Sequence, residues 1–303
     1  LNKEVVEYMR QIVSSENVIE NEDMSRHTTF KTGGPASLFI SPADTEQLKK
    51  VIEVLDRISA AFFILGNGSN ILVSDKGFDG AVISLRKFSE VTLKDDTTIV
   101  AGAGALNSAI ASFARDNSLT GFEFAAGIPG TIGGAMIMNA GAYDGEMKLV
   151  TKEVTVLSPS GEIMVLDNST MEFGYRTSAI KGRGYVVLSA ALQLEKGDQE
   201  AITAKMAELA SRRRDKQPLE YPSAGSTFKR PEGYFAGKLI EDAGLRGYSV
   251  GGAAVSDKHC GFVINKGGAT SSDIYRLITE VKDKVQKESG VELEPEVIML
   301  GEF

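Results

Sequence analysis

The run AAGIPGTIGGAMIMNAGAYDG, residues 125–145, constrains this chain more than any other stretch. Glycines at 127, 130, 133, 134 and 141 let backbone or ligand approach closely and admit positive φ. Gly130, Gly133 and Gly134 stand at the start of the helical piece TIGGAMIM, and a helix start can hold a pyrophosphate through its N–H groups and dipole. A second stretch, GNGSN at 66–70, directly follows the short apolar strand FFIL at 62–65. Successive N–H groups in such a loop can form an anion nest, with Ser69 and Asn70 adding side-chain donors. Either stretch alone also reads as an ordinary tight turn. Two in one domain point to a dinucleotide. Neither G-x-G-x-x-G nor G-x-x-x-x-G-K-[ST] occurs, so a Rossmann fingerprint and a P-loop are both excluded.

The charge of −8 argues against a nucleic-acid binder, although Arg212-Arg213-Arg214 could hold a small anion. No apolar run approaches the ~20 residues of a membrane span. The opening NKEVVEYMRQIV is charged and helical in period, unlike a secretion signal. A single cysteine, Cys260, forms no intrachain disulfide and fits a reducing, cytoplasmic setting. With only His27 and His259 besides, no metal site is expected.

Apolar periodicity predicts an amphipathic helix over residues 1 to about 20 and another after the N-cap Asp44. Hairpins are expected around Asp95-Asp96 and around Pro159-Ser160-Gly161, and a helix over 106–118. Asp198 caps a helix ended by Pro218, TSSD at 270–273 has capping-box spacing, and VELEPEVIML reads as the last strand. Mixed hairpins and helices indicate an α+β fold. The main boundary falls near Gly197, giving 1–197 (a helix, then lobes over roughly 22–66 and 67–197) and 198–303.

HTTFKTGG, GNGSN, AGIPGTIGGA, FGYRTS, YPSAGSTFKRP, FAGKLIE and LEPEV occur in one order from about residue 25 to the C-terminus. Together they resemble the UDP-N-acetylenolpyruvoylglucosamine reductase family, in its shorter, type II form. The resemblance implies an FAD-binding domain of the vanillyl-alcohol oxidase type plus a C-terminal substrate domain. It implies noncovalent FAD, held by Gly66, Asn67, Gly68, Ser69 and Asn70 and by Gly127, Ile128, Pro129, Gly130, Thr131, Gly133 and Gly134. NADPH is the implied co-substrate, and the partner is a nucleotide sugar, with no obligate protein partner. The product would be UDP-N-acetylmuramic acid for peptidoglycan synthesis.

The implied chemistry gives three residues a task. Hydride addition to an enolpyruvyl group drives negative charge onto an existing carboxylate, and a guanidinium is suited to absorb it. Arg176 in FGYRTS stands at the family's arginine. Ser226 in YPSAGSTFKRP has no histidine nearby to make it a nucleophile; its residues alone allow a turn hydroxyl or a proton donor. The resemblance assigns it the general acid. Glu296, alternating with Glu292 and Glu294 about apolar neighbours, is the implied partner of the substrate carboxylate, as a protonated donor or as an acceptor from Arg176. Lys229, Arg230 and Lys238 are candidates for the diphosphate, and Tyr175 for stacking on substrate or nicotinamide. Two rivals remain: an FAD-dependent sugar or lactone oxidase of the same fold, and a nucleotide-sugar binding module without redox activity.

Overall fold

Asn2 opens the first helix, Lys3–Val13, by accepting the Val5 N–H through its side chain at 3.0 Å. The helix buries Val6, Met9 and Val13 and then stops, seven residues short of the expected end. Ser14 takes φ 72°, a short 3-10 turn follows at Ser15–Asn17, and Val18–Asp23 continues as a strand. The left-handed Ser14 breaks the i→i−4 ladder that the apolar period alone would have extended.

The computed structural model describes residues Leu1–Phe303 as two units. The first gathers Leu1–Val18, Ile40–Asn67 and Val82–Arg213. Its centre is a five-stranded antiparallel sheet in the order Ile163–Asp167, Thr151–Leu157, Val186–Gln193, Thr98–Gly102, Val91–Leu93. Both expected hairpins are its edges. Asp44 caps the helix Thr45–Arg57 by accepting the Gln47 N–H at 2.8 Å. The helix Gln199–Lys216 begins after Asp198, whose carboxylate accepts the Ala201 N–H at 2.8 Å, and it stays with the first unit through Arg213.

The second unit gathers Ile19–Phe39, Gly68–Ala81 and Arg214–Phe303. Its core forms on the helix Ser271–Ser289, where Ile274, Leu277, Ile278, Val281 and Val285 recur on one face and are buried. Phe30, Leu72, Phe228, Ile240, Leu293 and Val297 close over them. Thr270 and Asp273 complete the capping box that TSSD announces. Ser249–Val250, Ala253–Val255 and Val263–Asn265 form a small antiparallel sheet. Of the expected last strand only Ile298–Leu300 is one, running parallel to Ile71–Val73. Residues 291–297 make a single bridge, Phe228 with Pro295, because Pro295 has no N–H to extend a ladder. The glutamates at 292, 294 and 296 therefore do not line one face of a strand.

Mixed helix and antiparallel sheet make the fold α+β, as expected.

Candidate active site

In the first unit the strand Phe62–Leu65 delivers Gly66 against Thr131. A Cβ on Gly66 would stand 2.5 Å from the Thr131 Oγ1, and Thr131 is buried, so the two glycine stretches meet here. The amides that open the helix Ile132–Met138 are partly committed: Ile132 N–H donates to the Ala105 carbonyl and Gly133 N–H to the Ala103 carbonyl, each at 2.9 Å. The open side is at Gly134, which is exposed and whose added Cβ would meet only the Thr131 Oγ1, at 4.0 Å. Gly130 takes φ 121°, and Gly127 and Pro129 are exposed beside half-buried Ile128. Asn67 accepts from the Arg86 guanidinium at 3.0 Å. Bare backbone at Gly127 and Gly134, with glycine enforced at Gly66, fits a large ligand laid across the loops, as a flavin dinucleotide would be.

Next to Gly127 lies a cavity of about 350 Å³ lined by Arg115, Phe124, Tyr143, Met206 and Arg213. A Cβ on Gly127 would sit 3.2 Å from Arg213 Cδ, and burial pushes the Arg213 guanidinium below its ordinary value. Arg212 lies over the Tyr143 ring at 5.0 Å. The tract of three arginines was the only sequence signal for Arg213; its placement against the glycine stretch was not visible there.

Arg176 occupies the turn between Gly174 and Thr177, which exchange N–H···O bonds of 3.1 and 3.3 Å. It takes φ 54°, a conformation that costs a non-glycine residue about 1–3 kcal/mol and that concentrates at functional sites. Its carbonyl accepts from Lys181 Nζ at 2.9 Å, and its guanidinium stands 5.3 Å from the ring of exposed Tyr175.

In the second unit Gly68 takes φ 62°, and a Cβ there would stand 1.9 Å from the His27 carbonyl oxygen. The segment HTTFKTGG thus clamps the loop that continues into Ser69 and Asn70, with Thr29 N–H donating to the Gly68 carbonyl at 3.0 Å. His27 bonds Glu22 at 2.7 Å and stacks on Phe39 at 4.2 Å, a structural role. Asn70 Nδ2 donates to the Glu296 carbonyl at 3.1 Å.

Gly225, at φ 77°, turns the chain so that Ser226 is exposed while Thr227 is wholly buried. Among the side-chain hydrogen bonds of this loop it is Thr227, not Ser226, that engages the backbone, through its Oγ1. Thr227 fixes this loop three ways. Its N–H donates to the Gly261 carbonyl at 2.8 Å, its Oγ1 accepts the Val263 N–H at 2.9 Å, and its carbonyl accepts the Glu296 N–H at 2.8 Å. Ser226 and half-buried Glu296 are thereby tied through one residue. The cations nearby are less available than the sequence suggests. Lys229 pairs with Glu294, and Lys238 with Asp242, whose hydrogen bond holds the ammonium above its ordinary value. Arg230 stacks on Phe235 at 4.0 Å and donates to the Tyr234 carbonyl at 3.3 Å. No group of histidine, cysteine and carboxylate side chains is arranged to hold a metal.

A family model described as an FAD binding domain matches residues 36–167, and one described as the C-terminal domain of UDP-N-acetylenolpyruvoylglucosamine reductase matches 217–300. The UDP-N-acetylenolpyruvoylglucosamine reductase of Caldanaerobacter subterraneus subsp. tengcongensis is 51% identical over 98% of each chain. That of Clostridium botulinum (strain Eklund 17B / Type B) is 50% identical over 93% of each. Among solved structures, the UDP-N-acetylenolpyruvylglucosamine reductase of Thermus caldophilus shares 35% identity at a TM-score of 0.81, covering 94% of this chain and 98% of that one. The glucose dehydrogenase Phl p 4.0202 shares the fold alone, at 14% identity and a TM-score of 0.53 over 65% of this chain and 45% of its own.

Proposed function

Because the chain belongs to the UDP-N-acetylenolpyruvoylglucosamine reductase family, we propose that Arg176, Ser226 and Glu296 carry the family's reaction in it. The protein is an NADPH-dependent FAD oxidoreductase that reduces the enolpyruvyl group of a UDP-sugar during peptidoglycan synthesis. No helix is long and apolar enough to cross a membrane; use of NADPH and a nucleotide sugar supports a cytoplasmic setting for the reaction.

The bound flavin supplies the hydride. The chain's own task is to hold the substrate and manage charge and proton. Arg176, with its permanent cation and planar fork, faces the substrate carboxylate and absorbs the charge that grows there. Glu296 hydrogen-bonds at that same carboxylate end. Ser226 gives its proton to the carbon next to the site of reduction. One observation carries this reading above the rest: an exposed Ser226 sits beside a fully buried residue whose carbonyl holds Glu296. The diphosphate falls to Arg230, with Lys229 and Lys238 contributing if their carboxylate partners yield, and Tyr175 stacks on substrate or nicotinamide.

The test is an absorption spectrum of the purified protein, followed by anaerobic additions. A flavin bleached by NADPH and recoloured by the enolpyruvyl substrate supports the proposal. A reduced flavin that recolours rapidly in air with a sugar as electron donor supports the oxidase instead. A colourless protein that binds no FAD supports the binding module.

A further inference from the structure

Glu296 belongs to no strand, yet both of its backbone polar groups are held. Its N–H donates to the Thr227 carbonyl at 2.8 Å, and its carbonyl accepts from Asn70 Nδ2 at 3.1 Å. Two residues on, the Ile298 N–H donates to the Asn70 carbonyl at 3.0 Å, and there the parallel pairing with Ile71–Val73 begins. Asn70 thus adds one rung to that ladder with its side chain, an amide standing in for backbone. The amide's orientation is fixed by its partner, because a carbonyl only accepts and must face Nδ2. This bond uses one of the two N–H groups of the amide, and the other is left for the cofactor's anion that the family resemblance assigns to Asn70.

We propose that Asn70 is a positioning residue for Glu296, setting the backbone from which the carboxyl projects. It thereby couples the end of the GNGSN loop to the group at the substrate carboxylate. The proposal rests on the role given to Glu296 above. A carboxyl displaced by about 1 Å costs on the order of 10²-fold in rate, so loss of the brace reaches the chemistry without touching the substrate.

The experiment is a double-mutant cycle on the FAD-loaded enzyme with Asn70→Ala, Glu296→Gln and both together. Three readings are taken: flavin content, the rate of flavin bleaching by NADPH, and the rate of recolouring by the enolpyruvyl substrate. In the FAD-loaded fraction, Asn70→Ala is expected to slow recolouring by roughly 10- to 100-fold, and to slow it more than it slows bleaching by NADPH. In the Glu296→Gln background the same substitution is expected to add little, because its effect runs through that carboxyl. Amide exchange over residues 291–298 of the loaded enzyme is expected to quicken in Asn70→Ala.

A slow Glu296→Gln with unchanged recolouring in Asn70→Ala overturns the proposal alone. Effects that multiply in full do the same, and so does flavin loss with normal recolouring in the loaded fraction. A Glu296→Gln that recolours at the wild-type rate overturns the role of Glu296, and the proposal with it. Should Asn70→Ala not fold, Asn70→Asp keeps the shape but presents no donor to the carbonyl, and it is judged by the same readings.

Discussion

The Thr227 carbonyl accepts the Glu296 N–H at 2.8 Å, so the residue after Ser226 holds the residue that carries the second proposed site group. The rest of Thr227 is spent on the same loop, with its Oγ1 taken by the Val263 N–H. Thr227→Val preserves the shape and the backbone bond but strands a buried N–H, which costs about 1–3 kcal/mol. The expected outcome is a lower urea midpoint with an unchanged slope; an unchanged midpoint would remove Thr227 as the loop's anchor.

Gly66 and Gly134 differ in what surrounds them, and alanine separates the two roles. Gly66→Ala drives a methyl into buried Thr131 and is expected to cost about 1–3 kcal/mol even without cofactor. Gly134→Ala meets nothing closer than 4.0 Å. Within a helix it is expected to leave the apoprotein as stable or about 0.5–1 kcal/mol more so, while weakening FAD binding. Thermal melts of apoprotein and FAD titrations read both; undiminished FAD affinity in Gly134→Ala would move the ligand away from this loop.

Arg176→Lys keeps the charge and loses the fork. It is expected to slow flavin recolouring by the enolpyruvyl substrate at least tenfold while leaving NADPH bleaching within about twofold. A variant impaired only in NADPH oxidation would assign Arg176 to the nicotinamide.

His259 gives the pH dependence a sign. Burial lowers its value from 6.5, and its Nδ1 accepts the Gly261 N–H at 3.0 Å, so the folded protein holds the neutral ring. The unfolded chain binds the proton more readily. The His259 contribution is therefore complete above about pH 6.5 and is lost as pH falls below it. Melting temperatures from about pH 8 to about pH 5 should drop less steeply in His259→Gln than in the parent; parallel curves would contradict this.

The sequence made some of this legible because local chemistry decides it. Asp44, Asp198 and the Thr270–Asp273 box cap helices through their own side chains, and a cap is written within four residues. The strand Phe62–Leu65 and both hairpins follow from apolar runs bounded by turns. The helix end at Ser14 was not legible, since only its positive φ breaks an apolar period that continues past it. The stretch 291–297 reads as strand by alternation but has no ladder partner beyond one bridge at Pro295. The engagement of Lys229 by Glu294, and of Asn70 by Glu296, joins residues remote in the chain, which no local pattern encodes. The ordered motifs point to Ser226 and Arg176; the exposure of Ser226, the half-burial of Arg176 and the positive φ of Gly225 and Arg176 are not written in them.

The most direct test of the account is anaerobic stopped-flow on Ser226→Ala, following flavin absorbance through each half of the reaction. The account predicts bleaching by NADPH at the wild-type rate and recolouring by the enolpyruvyl substrate slowed by about 10²- to 10⁴-fold, the usual span of general acid catalysis. Recolouring at the wild-type rate would contradict it, because the proton would then come from elsewhere.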